Sequence, residues 1–170
     1  MIHLDQTISI QDISEVSKEI QWILFDWRNS EEISQYFLLS SITKEQHTQW
    51  IKRNEEKKSC RAFVIFGEKT PLGLAYFPHI DSDHHQGELG VYIYNRSYQQ
   101  FKPAHQACRA LIQMAFYQMQ LNSLIAQILA SNIRSSRFFS SLGFKALPRI
   151  EREIIKNGQN KTVLTYILNK

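Results

Sequence analysis

Residues 88–119, which read ELGVYIYNRSYQQFKPAHQACRALIQMAFYQM, carry the strongest structural signal in the chain. A β-rich run enters a polar loop at residues 95–103, and a helical pattern begins behind that loop. The apolar residues of this helix recur every three or four positions, namely Ala107, Cys108, Leu111, Ile112, Ala115, Phe116 and Met119. The segment therefore predicts a strand followed by an amphipathic helix that packs against a sheet.

The start of this helix, at Pro103-Ala104, is a candidate anion site. The first N–H groups of a helix have no helical acceptor, and the helix dipole places positive charge there. Lys102, His105 and Arg109 lie nearby, and their side chains would strengthen the attraction of a pyrophosphate. An ordinary strand–helix connection with a proline in its first turn explains the same residues equally well.

Upstream of this segment the pattern changes from helical to extended. Residues 2–10 are interpreted as an edge strand, and helical patterns begin at Ser14, Ser30 and Thr43; Thr43 and Gln46 have the form of a capping box. The β-rich runs that follow are residues 60–66, 72–80 and 88–94. Their short connections predict an antiparallel meander.

Downstream, the sequence predicts a strand at residues 124–129, a helix at residues 133–142 and two strands around Asn157-Gly158. The fold class is therefore α+β, with a mixed, mostly antiparallel central sheet flanked by helices. Parallel pairing is expected around the helix at residues 104–120. The length of 170 residues favours a single domain over residues 1–170.

Composition excludes several classes of protein. Hydrophobic residues make up 43% and charged residues 21%, as in globular rather than disordered chains. Cys60 and Cys108 have the spacing of neither a zinc ribbon nor a disulfide scaffold, which is typical of a reducing compartment. No apolar run suits a signal peptide or a membrane span, so we expect a cytoplasmic protein.

The net charge of +4 indicates either a mildly basic surface or a site for a phosphorylated ligand. Basic residues are scattered along the chain and form no stripe, which disfavours nucleic-acid binding.

Two motifs carry a resemblance to a known family. Residues 99–104, QQFKPA, resemble the acyl-CoA loop of the Gcn5-related N-acetyltransferases, [QR]-x-x-G-x-[GA]. Residues 126–144, AQILASNIRSSRFFSSLGF, are similar to that family's A-x-V-x-x-x-N-x-x-S-x-x-F-Y-x-x-x-G-F pattern. The front end, residues 23–29, 42–51 and 88–93, is similar to the UDP-4-amino-sugar N-acetyltransferases, and ribosomal-protein N-acetyltransferases share much of it.

The resemblance implies acetyl-CoA as co-substrate and acetyl transfer to a primary amine, with a backbone N–H of the strand at residues 88–93 polarising the thioester carbonyl. The residues implied in binding acetyl-CoA are Val91, Tyr92, Ile93, Gln99, Phe101, Lys102, Pro103, Ala104, His105, Asn132, Ser135 and Phe139. Two of them depart from the family pattern, because Lys102 replaces the central glycine of the loop and Phe139 replaces a tyrosine that protonates the leaving thiolate.

Glu88 is the catalytic candidate implied to accept the proton of the amine, and a solvated strand-end carboxylate is the alternative. Trp27, Arg28 and Asn29 are implied on the acceptor side. A guanidinium fork suits a nucleotide phosphate, although an arginine at a helix end also meets the helix dipole favourably. Asn132 suits either the pantetheine amides or a helix N-cap, and both roles are compatible.

The run HIDSDHH at residues 79–85 contains nitrogen and oxygen donors, yet it lies in a predicted turn without helical ligand spacing or a distant partner. We therefore predict no metal. These residues suit the wall of an acceptor pocket or a solvated turn.

The sequence thus predicts an acetyl-CoA-dependent N-acetyltransferase whose partner is a small-molecule amine, best a nucleotide-linked deoxy-amino sugar. A protein N-terminal acetyltransferase and a non-catalytic acyl-CoA-binding regulatory module remain alternatives. Neither nucleic acid nor membrane is expected as a partner, and a monomer or homodimer is expected.

Overall fold

The computed structural model describes residues 1–4 and 7–170, the side chains of residues 148–150 excepted. The helices are α1 (Lys18–Asn29), α2 (Glu31–Ser34), α3 (Lys44–Glu56), α4 (Pro103–Gln113) and α5 (Ile133–Ser141). The strands are β1 (Ile2–His3), β2 (Ile8–Asp12), β3 (Arg61–Gly67), β4 (Thr70–Phe77), β5 (Ile80–Asp81), β6 (Gln86–Glu88), β7 (Gly90–Ile93), β8 (Ser123–Leu129), β9 (Lys145–Lys156) and β10 (Gln159–Asn169).

The strands form two five-stranded sheets. The first has the order β1-β2-β3-β4-β7 and is antiparallel throughout, as the predicted meander requires. The second has the order β5-β6-β8-β10-β9, in which β6 and β8 run parallel on either side of α4 in the chain. The α+β class with mostly antiparallel pairing is confirmed, and so is the parallel pair around α4.

Two apolar clusters lie on opposite faces of the first sheet, because successive side chains of a strand point to opposite faces. Phe63 and Ile65 of β3 join the larger cluster, which both sheets share with α4 and α5. Val64 and Phe66 join the smaller cluster, beneath α1, α2 and α3. The predicted apolar helix face is confirmed, since Ala107, Cys108 and Leu111 of α4 are buried, as are Ala115 and Phe116 in the turn that follows it.

Local sequence signals set the helix boundaries. The predicted capping box of α3 is present, with Thr43 and Gln46 each bonding the backbone of the other. Helix α4 begins at Pro103, which has no N–H to leave unpaired. Its helical pattern continues as expected, but Met114–Gln118 form a π-helical turn in place of an α-helix.

Three strand boundaries predicted from the sequence are wrong in detail. The strand expected at residues 72–80 ends at Phe77, since Pro78 has no N–H for a sheet ladder. The one expected at residues 88–94 divides at Leu89 into β6 and β7. The edge strand expected at residues 2–10 is divided between β1 and β2, and Asp5 and Gln6 lie outside the described residues.

Cys60 and Cys108 are both free and buried, in agreement with the absence of a disulfide framework. No helix among the residues described is both long and apolar enough to cross a bilayer.

Replacing Gly73 of β4 with alanine is expected to destabilise the fold by about 3 kcal/mol or more, the upper end for overpacking. A Cβ there would lie 2.1 Å from the carbonyl oxygen of Tyr92, so the backbone of β7 would have to shift. Denaturant unfolding measures the loss. The control is Gly158→Ala, whose Cβ would meet no described atom within 4 Å and which costs about 1–2 kcal/mol through its positive φ. Equal losses would contradict the close approach of β4 and β7.

Candidate functional site

A wedge-shaped gap opens between β7 and β8. Glu88 still lies opposite Ile125 of β8, and the N–H of Leu89 donates to the carbonyl of Ile125 at 2.8 Å. From Gly90 onward the chain pairs with β4 and, within the described residues, no longer with β8. The break at Leu89 therefore separates the two sheets at the middle of the molecule.

Two backbone donors face this gap. The N–H of Tyr94 donates to the carbonyl of Leu72 across the pair with β4, at 2.9 Å. Successive N–H groups of an antiparallel strand alternate between its two edges, so those of Val91 and Ile93 point away from β4. An extended ligand in the gap would meet these two donors as it would meet a neighbouring strand.

The start of α4 supplies further donors. Lys102 precedes the helix with φ 50° and ψ 52°, the left-handed conformation that the glycine of the resembled loop favours. Because Pro103 is the first helical residue, the N–H groups of Ala104 and His105 are those without a helical acceptor. Gln99 and Phe101 lie in the 3-10 turn that leads into Lys102, so the predicted loop is one continuous structure.

The imidazole of His105 connects α4 to α5. Its Nε2 lies 3.1 Å from the hydroxyl of Ser141, and its ring packs edge-on against Phe138 with centroids 4.6 Å apart. Burial, followed by the charges of Arg109 and Lys102, lowers the pKa of His105, so the ring is neutral at pH 7. Positive charge at this helix start therefore comes from Lys102 and Arg109.

The downstream motif lies on α5, directly after β8. Asn132 is the N-cap of α5, and its side-chain oxygen accepts the N–H of Ser135 at 3.1 Å, which confirms the cap interpretation. The amide NH₂ of Asn132 is the part of the side chain left to bind a ligand. Phe139 is buried between Phe138 and Phe144, with ring centroids 5.3 Å and 5.2 Å away, so it is a core residue.

On the other face of β7 an aromatic pocket surrounds Arg28. The guanidinium carbon lies 3.8 Å from the ring centroid of Phe37, and Nη2 donates to the carbonyl of Leu39 at 2.7 Å. Phe37 stacks in parallel with Tyr76 and meets Tyr92 edge-on, with centroids 6.4 Å and 5.9 Å apart. The other terminal nitrogen, Nη1 of Arg28, is buried without a described partner.

Both tyrosines of this pocket keep their protons. Burial raises the pKa of Tyr76 and Tyr92 well above the usual value, and the nearby positive charge of Arg28 only partly offsets it. Each phenol is therefore a hydrogen-bond donor at neutral pH, not a base.

Glu88 lies at the end of β6, next to this pocket. Burial raises the pKa of its carboxyl, and the charges of His79 and Arg152 oppose the rise. The hydroxyl of Tyr76 lies 2.8 Å from where a Cβ on Gly90, two residues after Glu88, would stand, and the carboxylate adds to the rise in the pKa of Tyr76 that burial causes. A carboxylate with a raised pKa, beside the gap and the Arg28 pocket, is suited to accept a proton.

The three residues expected on the acceptor side behave differently. Only Arg28 enters the aromatic pocket. Trp27 stacks on Tyr94 with centroids 4.8 Å apart, and Asn29 uses both ends of its amide on the backbone of Ile42, at 3.0 and 2.8 Å. Trp27 and Asn29 therefore hold the segment that positions Arg28, and direct contact with an acceptor stays a prediction for both.

The sequence did not single out Phe37, Tyr76 or Lys156. The helical pattern that begins at Ser30 would include Phe37, but α2 ends at Ser34, and Tyr76 is one residue of a β-rich run. Lys156 precedes the Asn157-Gly158 turn, where a solvated lysine is common. No local pattern distinguishes these residues, since their partners are distant in the sequence.

Among the described residues, no three His, Cys, Asp or Glu side chains come together as metal ligands do. In the run at residues 79–85, Asp81 caps the turn instead, accepting the backbone N–H of His84 at 3.0 Å and contacting its Nδ1 at 2.8 Å.

The comparison with protein families matches residues 16–145 to the family described as Acetyltransferase (GNAT) domain. Acetyltransferase PseH of Campylobacter jejuni is 22% identical over 138 residues, which are 81% of this chain and 84% of PseH. The crystal structure of Campylobacter jejuni PseH in complex with acetyl coenzyme A has a TM-score of 0.65 at 17% identity, covering 96% of this chain and 99% of that one.

Two further solved structures are similar to this chain. Spermidine N-acetyltransferase from Vibrio cholerae, in complex with CoA and spermine, has a TM-score of 0.82 at 14% identity, covering 97% of this chain and 96% of that one. The Salmonella typhimurium acetyltransferase that modifies the N-terminal serine of ribosomal protein L7/L12 has a TM-score of 0.80 at 15% identity, covering 99% and 98%. At such identities the likeness shows the fold and does not choose an acceptor.

Lys102→Gly is expected to be about 1 kcal/mol more stable than Lys102→Ala, the lower end of the left-handed penalty for a residue with a Cβ. Both variants lose the ammonium group, and only alanine keeps the Cβ that φ 50° disfavours. Urea denaturation of the two variants measures the difference. An alanine variant as stable as the glycine variant would show that Lys102 carries no backbone strain.

Proposed function

We propose that this chain, which belongs to the GNAT acetyltransferase family, transfers acetyl from acetyl-CoA to the 4-amino group of a nucleotide-linked deoxy-amino sugar. The choice of acceptor rests on the surroundings of Arg28. Its Nη1 is buried without a described partner, in an aromatic pocket beside Glu88. Similarity to PseH over most of the chain supports the same acceptor class.

Acetyl-CoA fits the gap between β7 and β8 and the start of α4. The N–H groups of Ala104 and His105, with the charges of Lys102 and Arg109, are suited to its pyrophosphate. The N–H groups of Val91 and Ile93 and the amide of Asn132 are suited to the amides of its pantetheine arm. Ser135 lies in the first turn of α5, next to that arm, while Phe139 contributes packing.

The reaction requires a neutral amine, an activated carbonyl and a leaving thiolate. The amine nitrogen forms a bond to the acetyl carbon, and the bond from that carbon to the CoA sulfur breaks. A backbone N–H of β7 stabilises the charge that develops on the carbonyl oxygen. Glu88 accepts the proton that the amine loses, directly or through water.

Phe139 leaves the thiolate without the tyrosine acid of the family pattern. A thiol of pKa about 8.5 is a tolerable leaving group at neutral pH, so this absence costs less than a missing base. Burial raises the pKa of Tyr92, so its phenol holds its proton tightly and is a weak acid for the thiolate. The hydroxyl of Ser136, which donates to the carbonyl of Asn132 at 3.4 Å, and water are the alternative proton donors.

The charge of the pocket disfavours the polyamine acceptors of the spermidine enzymes. Lys156 donates to the carbonyl of Phe37, on whose ring Arg28 packs, so two cationic groups lie on either side of this residue; burial and then the charge of Arg28 lower the pKa of Lys156. A polyamine would add further positive charge, whereas the phosphates of a nucleotide sugar would compensate it. Cytoplasmic location and a monomeric or homodimeric state stay predictions.

A thiol-release assay tests the proposed acceptor, with a UDP-4-amino-sugar, spermidine and a peptide with N-terminal serine compared at equal concentration. We expect release with the sugar nucleotide at a kcat/KM at least tenfold above the other two. A higher kcat/KM with spermidine or with the peptide would contradict the proposed acceptor class.

Thermal unfolding with and without acetyl-CoA, combined with the thiol-release assay, distinguishes the proposed enzyme from a non-catalytic acyl-CoA-binding module. Ligand at ~100 times its Kd adds about 2.7 kcal/mol of stability. Stabilisation without release from any amine would favour the acyl-CoA-binding module and contradict the proposed enzyme.

Glu88→Gln is expected to lower kcat by about 10²–10⁴-fold without lowering the free energy of unfolding at pH 7. Because burial raises the pKa of Glu88, folding favours the protonated carboxyl, and its contribution to stability is lost as pH rises through the folded pKa. The neutral amide escapes this loss. Thiol release and urea denaturation at pH 5 and 8 measure both effects, with the exposed Glu151→Gln as control. An unchanged kcat in Glu88→Gln would show that Glu88 is not the general base.

A further inference from the structure

A cleft outside the predicted site separates the segment after α2 from the turn between β9 and β10. Its polar lining comes from Gln35 and Tyr36 on one side, from Lys156, Asn157, Gln159 and Lys161 on the other, and from Ser131 after β8. The hydroxyl of Ser40 donates to the side-chain oxygen of Asn157, one of the lining residues, at 2.6 Å.

Lys156 fixes the geometry of this cleft. Its Nζ donates to the carbonyls of Ser34 and Gln35, each at 2.8 Å, and also to that of Phe37. Three donors are all that an ammonium group has, so Lys156 is fully used in holding the segment, and only 6% of the residue is exposed. The wall that carries Gln35 and Tyr36 is thereby attached to the β9–β10 hairpin.

Three cationic side chains lie in or near the cleft. Lys156 is near both Arg28 and Lys161, whose charges lower its pKa in addition to the larger effect of burial. None of these three cations forms an ion pair with a carboxylate in the part of the chain that the structure describes. Like charges held this close repel one another, and a bound anion would relieve the repulsion.

We propose that this cleft binds the diphosphate of the acceptor nucleotide, with Lys161 as its contact residue. The ammonium of Lys161 is the cation of the three that is neither saturated with hydrogen bonds, as Lys156 is, nor enclosed by aromatic rings, as Arg28 is. Lys156 is a positioning residue that also contributes its charge. The proposal rests on the proposed function, since it names where the phosphates of that acceptor lie.

Arg28 and Lys161 would then each contact part of the acceptor nucleotide. Arg28 packs on the ring of Phe37, whose carbonyl accepts from Lys156, and Lys161 lines the cleft together with Lys156. A diphosphate between nucleoside and sugar would offer phosphate oxygens to both Arg28 and Lys161. The tyrosine ring of Tyr36, which is 49% exposed at the mouth of the cleft, offers a surface on which a base can stack.

Binding of UDP to the whole protein, measured by calorimetry at saturating CoA, tests the subsite without turnover. Saturating CoA occupies the donor site, so UDP bound under this condition occupies a different one. Lys161→Gln is expected to weaken UDP binding about tenfold or more, the size of one charge-assisted hydrogen bond. Lys161→Arg is expected to restore most of the affinity.

The matched control is Lys145→Gln, which removes an exposed lysine from the other end of β9. It is expected to leave the Kd of UDP unchanged. An equal loss in Lys145→Gln would mean that UDP responds to overall charge, and unchanged binding in Lys161→Gln would show that the cleft is not the phosphate site. UDP that binds only when CoA is absent would assign the phosphates to the donor site. Each of these three results overturns the proposal.

Turnover separates this proposal from the proposed function. If the wild-type chain and Lys161→Gln acetylate a UDP-amino-sugar with the same KM, the cleft is not the phosphate site, while the proposed acceptor class still holds. If UDP binding depends on Lys161 but no UDP-amino-sugar is acetylated, the cleft is a phosphate site and the proposed acceptor class is wrong. With the proposal correct, Lys161→Gln raises KM about tenfold and leaves kcat nearly unchanged.

Discussion

The exchange of strand partners at Leu89 is the constraint on which the rest of the structure depends. The chain pairs with β8 up to Glu88 and with β4 from Gly90. Leu89 is 2% exposed in the apolar cluster that both sheets share, and its burial holds the break in place. The N–H groups of Val91 and Ile93 then need acceptors that β8 no longer provides. A polar, extended ligand satisfies them, and the same break places Glu88 at the point where the sheets part.

Two regions around β7 carry different chemistry. The edge of β7 toward β8 has backbone donors, and the start of α4 adds a helix N-terminus and the charges of Lys102 and Arg109, which suit a phosphorylated donor. The region beneath α1 has Arg28 among aromatic rings and, beyond it, the charges of Lys156 and Lys161. Both regions contain basic side chains, within a net charge of +4 for the whole chain. Of the two interpretations of that charge, a site for a phosphorylated ligand is the one that this arrangement favours.

The sequence predicted well what depends on neighbouring residues. The apolar period of α4, the capping box at Thr43 and the N-cap at Asn132 are local, and the structure contains all three. The division at Leu89 could not be predicted, because an unbroken β-rich run looks the same whether it keeps one partner or exchanges it. Tyr76 and Lys156 could not be predicted for a related reason. Lys156 bonds carbonyls 119 to 122 residues earlier in the chain, and nothing near residue 156 records that contact.

The attachment made by Lys156 also bears on how the chain folds as it is synthesised. The segment that presents Arg28 and Phe37 leaves the ribosome early, yet the ammonium that fixes it follows 119 residues behind Phe37. Strand β10 is made later still and lies between β8 and β9, so the second sheet cannot close before it emerges. The first sheet has all its strands by Ile93, but one of its faces packs in the cluster that it shares with α4, α5 and the second sheet. The surroundings of Arg28 are therefore complete only after Lys156 and β10 have been made.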